Sequence, residues 1–332
     1  MRLVPFSVDS RRLQHRLGVL CADAGSVLDV TAATAARLAS AGLPARAAQR
    51  VADALTPSRL AEFVETADLA LDHARESLAW ADQAGAEDGV AGEPLRYRLA
   101  DVIRLPAVPE PALIRDFMAF EQHLRNIYPR LGREIPPQWY EFPAYYKGNP
   151  SAVGADGDDV IMPDYADGEL DFEFEFAAVI GRGGRNIDES TALEHVYGYT
   201  IYDDFSARGM QSREMAVGLG PAKGKDFDGA HVLGPWLVTA DEVPDPYGLA
   251  LAARVNGEEW TTGSSGDMHW RFEQMIAHAS RAETLRPLEV FGSGTVGGGS
   301  AAEMGETLRA GDTVELEVER LGVLRNTVRS AD

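Results

Sequence analysis

Residues 169–176 read Glu169-Leu170-Asp171-Phe172-Glu173-Phe174-Glu175-Phe176. Side chains alternate between the faces of a β-strand, so Glu169, Asp171, Glu173 and Glu175 share one face and Leu170, Phe172, Phe174 and Phe176 the other. The pattern predicts a strand within an extended stretch over 171–180. Two readings of its acidic face stand open. One is an amphipathic strand with a solvated outer side. The other is a cation site, because like charges in a row repel with no lysine or arginine between them, and Mg²⁺, Mn²⁺ and Ca²⁺ take carboxylate oxygens.

Around this stretch the chain is punctuated by Gly and Pro. Strands are expected at 159–162, 198–202, 235–239, 249–255 and 313–319, and helices at 112–126 and 269–282. Few long helices alternate with these strands, which excludes a doubly wound parallel sheet. Upstream of the stiff connector Pro106-Ala107-Val108-Pro109-Glu110-Pro111 the character changes. A hairpin is expected there from 16–20 and 26–30, followed by Ala-rich helical stretches over 31–54 and 57–85. The fold class is α+β and β-dominated, with a smaller, partly helical N-terminal domain at 1–105 and a larger domain at 106–332.

The chain of 332 residues carries 52 Asp and Glu against 31 Lys and Arg, a formal charge of −21. That balance excludes a phosphate-gripping nucleic-acid surface and an anionic-membrane surface alike. The single cysteine, Cys21, forms no internal disulfide, and no stretch matches a signal peptide or a membrane span of about 18 apolar residues. The expectation is a cytoplasmic protein whose partners include neither nucleic acid nor membrane.

Two further segments bring chemistry. Asp203-Asp204 follows a strand-like run ending at Tyr202; alone, such a pair reads as a turn, a cap or a source of carboxylate ligands. On the helix expected over 112–126, Asp116 and His123 stand seven residues apart, two helical turns, and so share a face. The six other histidines, His231 among them, have no comparable setting.

Taken together, these segments resemble the fumarylacetoacetate hydrolase (FAH) family from about Ile114 to Val328. The pieces occur in the family's order: Asp116 to His123, Tyr145-Tyr146-Lys147-Gly148-Asn149, Asp171-Phe172-Glu173-Phe174-Glu175, Asp204-Phe205-Ser206-Ala207-Arg208-Gly209-Met210-Gln211, Gly224-Lys225-Asp226-Phe227, then Gly292-Ser293-Gly294-Thr295-Val296 and Glu303. The resemblance implies an FAH-type mixed β-sandwich roll, usually in a homodimer. It implies Asp116, Glu173, Glu175 and Asp204 as ligands of Mg²⁺, with Ca²⁺ or Mn²⁺ as alternatives. It implies His123 with Glu303 as the dyad that activates water. Arg208, Gln211 and Lys225 would meet the substrate oxygens, and Tyr146 and Thr295 would line the pocket.

The implied reaction is metal-assisted hydrolysis of a carbon–carbon bond in a β-diketo or acylpyruvate-type acid. A carboxylate behind an imidazole fixes its tautomer and stabilises the imidazolium, and cationic donors meet the developing oxyanion. A tautomerase, hydratase or decarboxylase of 2-oxo acids on the same scaffold is the alternative enzyme, and a metal-stabilised binding protein is the non-catalytic one. Two departures count against fumarylacetoacetate itself as substrate. Residues 1–105 read as largely helical where the animal enzyme has an SH3-like barrel, and Met215 stands near a substrate-contacting tyrosine of that enzyme. Gly292 to Gly297 fits G-x-G-x-x-G, but the 35 residues that follow are too few for a dinucleotide-binding half-domain. Because a dicarbonyl acid is an anion approaching an acidic protein, a locally positive mouth built by Arg208, Lys225 and a nearby arginine is also expected.

Overall fold

The computed structural model describes residues 1–331, in two units: Met1–Pro109 and the chain from Glu110 onward. In the first unit the elements are β1 (Arg2–Ser7), β2 (Arg16–Leu20), β3 (Ser26–Asp29), α1 (Val30–Ser40), α2 (Ala45–Leu55), α3 (Leu60–Glu65), α4 (Asp68–Ala84), β4 (Arg96–Arg98) and β5 (Ile103–Arg104). The antiparallel order is β4-β3-β2-β1, with β5 also on β1. Asp29 ends the hairpin and starts the first helix, because its carboxylate accepts from the Ala32 N–H at 3.0 Å. Alanines then let helices approach closely: Ala32, Ala33 and Ala36 of α1 pack with Ala81 of α4 over Leu28 and Leu95.

The second unit continues with β6 (Leu113–Phe117), α5 (Glu121–Ile127), β7 (Tyr145–Gly148), β8 (Val153–Gly154), β9 (Asp159–Met162), β10 (Leu170–Asp171), β11 (Phe174–Ile180) and β12 (Gly184–Arg185). Then follow β13 (Val196–Asp204), β14 (Ser206–Ala207), α6 (Arg208–Val217), β15 (His231–Thr239), β16 (Ala250–Val255) and β17 (Glu258–Ser264). The chain closes with α7 (Phe272–Ser280), β18 (Thr284–Leu285), β19 (Glu289–Gly292), α8 (Ala301–Met304), β20 (Thr313–Val318) and β21 (Gly322–Ser330). One sheet runs β15-β13-β11-β19-β6-β7, antiparallel except for the parallel β19–β6 pair. The other runs β17-β16-β20-β21-β9 and is parallel only between β21 and β9. Their apolar sides share one core, in which Phe172, Phe174 and Phe176 meet Leu316, Val318 and Val328. This is the mixed β-sandwich roll. No helix among the described residues is long and apolar enough to cross a membrane.

Two expectations change. The helix over 112–126 is a strand followed by a helix: Asp116 lies on β6 and His123 on α5. β6 is buried on both sides between β19 and β7, and such a strand shows no alternation that would betray it. Asp116 and His123 therefore do not share a helical face. The acidic run is also broken: Leu170–Asp171 pairs with β14, whereas β11 begins at Phe174, with Glu173 bridging to Ser300. The phenylalanines are buried as the alternation requires, and of the acidic face only Glu169 is solvated. Asp171, Glu173 and Glu175 are 1%, 7% and 0% exposed.

The Phe176 ring is fully buried and stands edge-on to Phe272 with centroids 5.2 Å apart, so Phe176→Ala is expected to cost about 3–5 kcal/mol. Leu219→Ala, at a residue 92% exposed, is expected to stay within about 0.5 kcal/mol. Urea unfolding midpoints measure both; equal losses would contradict this core.

Candidate metal centre and active site

Four carboxylates from separate segments meet where the strands of the first sheet end. Asp116 is near the end of β6, Glu175 on β11, Asp204 at the end of β13, and Glu173 in the break before β11. The register aligns them: Asp116 is opposite Gly292, Glu175 opposite Tyr202, and the Asp204 N–H donates to the Glu173 carbonyl at 3.1 Å. One oxygen from each of Asp116, Glu173, Glu175 and Asp204 lies within 4.8 Å of the others. Gly292 is required here, since a Cβ would stand 2.9 Å from both Asp116 Oδ1 and Glu175 Oε2.

Charges inside this cluster divide sharply. Burial alone would raise Asp204, yet the Lys225 ammonium and His231 outweigh it and hold the carboxyl far below the usual carboxylate range. Burial likewise opposes ionisation of Glu173, but Arg208 and Lys225 bring it below its ordinary value. Asp116 is pushed well up by burial and by the Asp204 charge, and Glu175 by burial and by the Asp116 charge. Lys225 donates to Glu173 Oε2 at 2.7 Å and to Asp204 Oδ2; Arg208 reaches Glu173 Oε1 at 2.7 Å. Asp116 Oδ1, Glu175 Oε1 and Asp204 Oδ1 are buried with no hydrogen-bond partner. Three orphaned carboxylate oxygens in an all-oxygen, acidic cradle fit a hard divalent cation.

Beside the cluster, His123 Nδ1 lies 2.7 Å from Glu303 Oε1. An ionised carboxylate only accepts, so Nδ1 carries the proton and Nε2 presents a lone pair. The other Glu303 oxygen accepts from Asn126 Nδ2 at 2.6 Å and from the Gly298 N–H at 2.8 Å, which locks the carboxylate behind the ring. A cavity of about 230 Å³ opens onto Asp116, His123, Glu173, Glu175, Gln211 and Lys225. Tyr146, Thr295 and Met215 form part of its wall. Two larger, more open depressions of about 760 and 490 Å³ around Asp188, Glu189 and Gln274 hold none of the clustered carboxylates. Tyr146 donates to Asp204 Oδ2 at 2.7 Å; burial and the Asp204 charge raise its phenol well above its ordinary value, so it remains a donor.

Arg208 does not line the cavity. It donates to Asp171 through Nε at 2.8 Å and to Gln211 Oε1 at 2.9 Å, which leaves the Gln211 NH₂ as the free end of that amide. Its guanidinium is half-buried among acids, and desolvation is outweighed by the Glu173 and Asp171 charges that raise it above its usual range. Arg208 therefore does not build the cavity mouth: among the described residues Lys225 is the one Lys or Arg on the cavity wall, and it is already paired. Asp171, no part of the four-carboxylate cluster, instead caps α8, accepting from the Ala301 and Ala302 N–H groups at 2.7 and 3.2 Å. His231 is the residue that reading by setting missed. Its ring nitrogen Nδ1 stands 3.0 Å from Asp204 Oδ1, a proximity produced by the β13–β15 register across 27 residues and by no local pattern.

The chain matches the model of the fumarylacetoacetate hydrolase C-terminal domain over residues 112–329. It belongs to the fumarylacetoacetate hydrolase family. It is similar to the oxaloacetate tautomerase YisK of Bacillus subtilis, 30% identical over 82% of this chain and 87% of the relative. It is similar also to a mitochondrial oxaloacetate tautomerase of Xenopus laevis, 30% identical over 99% of this chain and 90% of that protein. Among solved structures, the maleylpyruvate hydrolase of Sphingobium sp. SYK-6 in complex with manganese(II) and pyruvate superposes with a TM-score of 0.70 at 22% identity, covering all of both chains. That likeness establishes the shared fold.

A cation needs Asp116 and Glu175 ionised, whereas burial and neighbouring like charge push both carboxyls well above their ordinary values without one. Metal affinity should therefore rise with pH, about tenfold per unit for each proton displaced, until both raised values are passed. Calorimetric titration with Mn²⁺ in two buffers of different ionisation heat is expected to show proton release on binding at neutral pH. Binding with no proton release would contradict the charge assignment.

Proposed function

We propose that the chain is a divalent-metal-dependent enzyme that interconverts the keto and enol forms of a small 2-oxo dicarboxylic acid of the oxaloacetate type. The observation that carries this is the His123–Glu303 dyad facing the same small cavity as the carboxylate cluster. The relatives of near-equal length that are oxaloacetate tautomerases support it. At about 230 Å³ the cavity is below the range of about 300–1,000 Å³ that holds drug-sized ligands, which suits a four-carbon acid.

In this reading Asp116, Glu173, Glu175 and Asp204 hold Mg²⁺, with Mn²⁺ or Ca²⁺ as substitutes. A divalent ion there supplies Lewis-acid polarisation of the 2-oxo acid oxygens, several kcal/mol of charge stabilisation. His123 Nε2 takes the proton from C3; the C–H electron pair becomes the C2=C3 double bond, and the carbonyl pair moves to the oxygen on C2. Glu303 balances the imidazolium through Nδ1–H. The imidazolium then returns its proton to the oxygen, completing the enol, or to C3 in the reverse direction. Gln211 NH₂ and the Lys225 ammonium are the donors placed to meet the developing negative charge. Thr295 and Tyr146 shape the wall against which the acid lies.

Hydrolysis of a carbon–carbon bond is the second reading, favoured by the dyad itself, since an imidazole backed by a carboxylate equally activates water. The products separate them. Tautomerisation incorporates solvent deuterium at C3 and leaves the carbon chain whole, while hydrolysis places solvent oxygen in a new carboxylate and yields two fragments. His123→Ala is expected to lower kcat for enol-oxaloacetate ketonisation by about 10²–10⁴-fold. Mn²⁺ affinity in the same variant should stay within about threefold, because His123 is outside the ligand set. Full turnover by the variant would remove His123 as the base.

A further inference from the structure

We propose that His231 is a positioning residue for the metal centre, its Nδ1–H holding the Asp204 carboxylate in the orientation that leaves an oxygen for the cation. The inference rests on the reading of the four carboxylates as a divalent-cation site. His231 is directly opposite Asp204 across the antiparallel β13–β15 pair, and both are 0% exposed.

The two oxygens of Asp204 have different neighbours. Oδ2 accepts from Lys225 Nζ and from the Tyr146 hydroxyl. Oδ1 meets only the imidazole, 3.0 Å from Nδ1, on an approach off the line of a full hydrogen bond. The same Nδ1 is 2.8 Å from Tyr202 Oη, itself fully buried. An imidazole lone pair 3.0 Å from a carboxylate oxygen would repel it, so Nδ1 carries the proton and shares it between carboxylate and phenol. Nε2 is then a bare acceptor, and it is buried without a partner. The ring has one place to stand. Gly148 lies against its far edge, where a Cβ would come within 3.1 Å of Nε2 and Cε1.

This arrangement braces Asp204 from both sides. Two donors pull Oδ2 toward the cavity wall, and the off-line N–H restrains Oδ1 while leaving its lone-pair capacity for a cation. Groups placed in this way behind a ligand typically change metal affinity by about 10–100-fold when removed. The role differs from that of His123, which faces the cavity and pairs with Glu303.

The test is Mn²⁺ binding, read by the electron paramagnetic resonance of free Mn²⁺ in chelator-stripped protein, for wild type, His231→Ala, His231→Asn and His231→Gln. An Asn amide nitrogen can occupy the place of Nδ1, and a Gln amide nitrogen that of Nε2. His231→Ala and His231→Gln are expected to weaken binding about 10–100-fold, with His231→Asn within about threefold of wild type. A purely structural role would lower the melting temperature of all three variants without sorting Asn from Gln. Wild-type affinity in His231→Ala, or Asn as weak as Ala, overturns the proposal. A wild type that binds no Mn²⁺ overturns it together with the cation-site reading. Nitrogen-15 spectra of the metal-free wild type decide the tautomer without any variant: a proton on Nδ1 is expected, and one on Nε2 overturns the proposal.

Discussion

Burial of four mutually repelling carboxylates is the constraint around which the second unit is organised. At separations under 5 Å each pair of like charges costs about 3–4 kcal/mol at an effective dielectric constant near 20. Several such pairs exceed the margin of about 5–15 kcal/mol by which a whole domain is stable. The protein therefore cannot hold all four ionised without help. Lys225 and Arg208 neutralise Glu173 and Asp204, and protonation relieves Asp116 and Glu175 until a cation replaces the protons. The clustered charge is tolerable because it is divided.

The same compensation reaches the catalytic dyad. Arg208 neutralises Glu173 and also grips Asp171, and Asp171 caps the short helix α8 that carries Glu303. The cluster and the helix that carries Glu303 are thus connected through one guanidinium and one carboxylate. Gln211, held by the same guanidinium, presents its amide to the cavity. Asp171 on β10, Glu173 in the break before β11, and Arg208 and Gln211 on α6 are thus joined by ion pairs and hydrogen bonds around one guanidinium.

Much of this was legible in the order of residues, and what was not has physical causes. Alternation put Glu173 and Glu175 on one face and three phenylalanines on the other, and that holds because a pleat has a fixed period of two. Alternation says nothing about where a strand changes partners, so the break at Phe172 and Glu173, which turns Asp171 toward α8, was invisible. A helix expected over 112–126 put Asp116 and His123 on one face, but a strand buried on both sides carries no period to contradict that, and tertiary structure brings the two residues to one cavity instead. His231 was passed over because its partners, Tyr202 and Asp204, are assembled by strand register. The acidic excess suggested a compensating positive mouth, whereas the cations are consumed inside the cluster.

Diffraction at the manganese absorption edge, from crystals soaked with Mn²⁺ and oxalate, tests the central claim most directly. An anomalous peak is expected among Asp116, Glu173, Glu175 and Asp204, with oxalate bound on its open side facing the Nε2 edge of His123. A peak elsewhere, no peak at saturating Mn²⁺, or oxalate bound away from His123 would contradict the joint assignment of cation site and base.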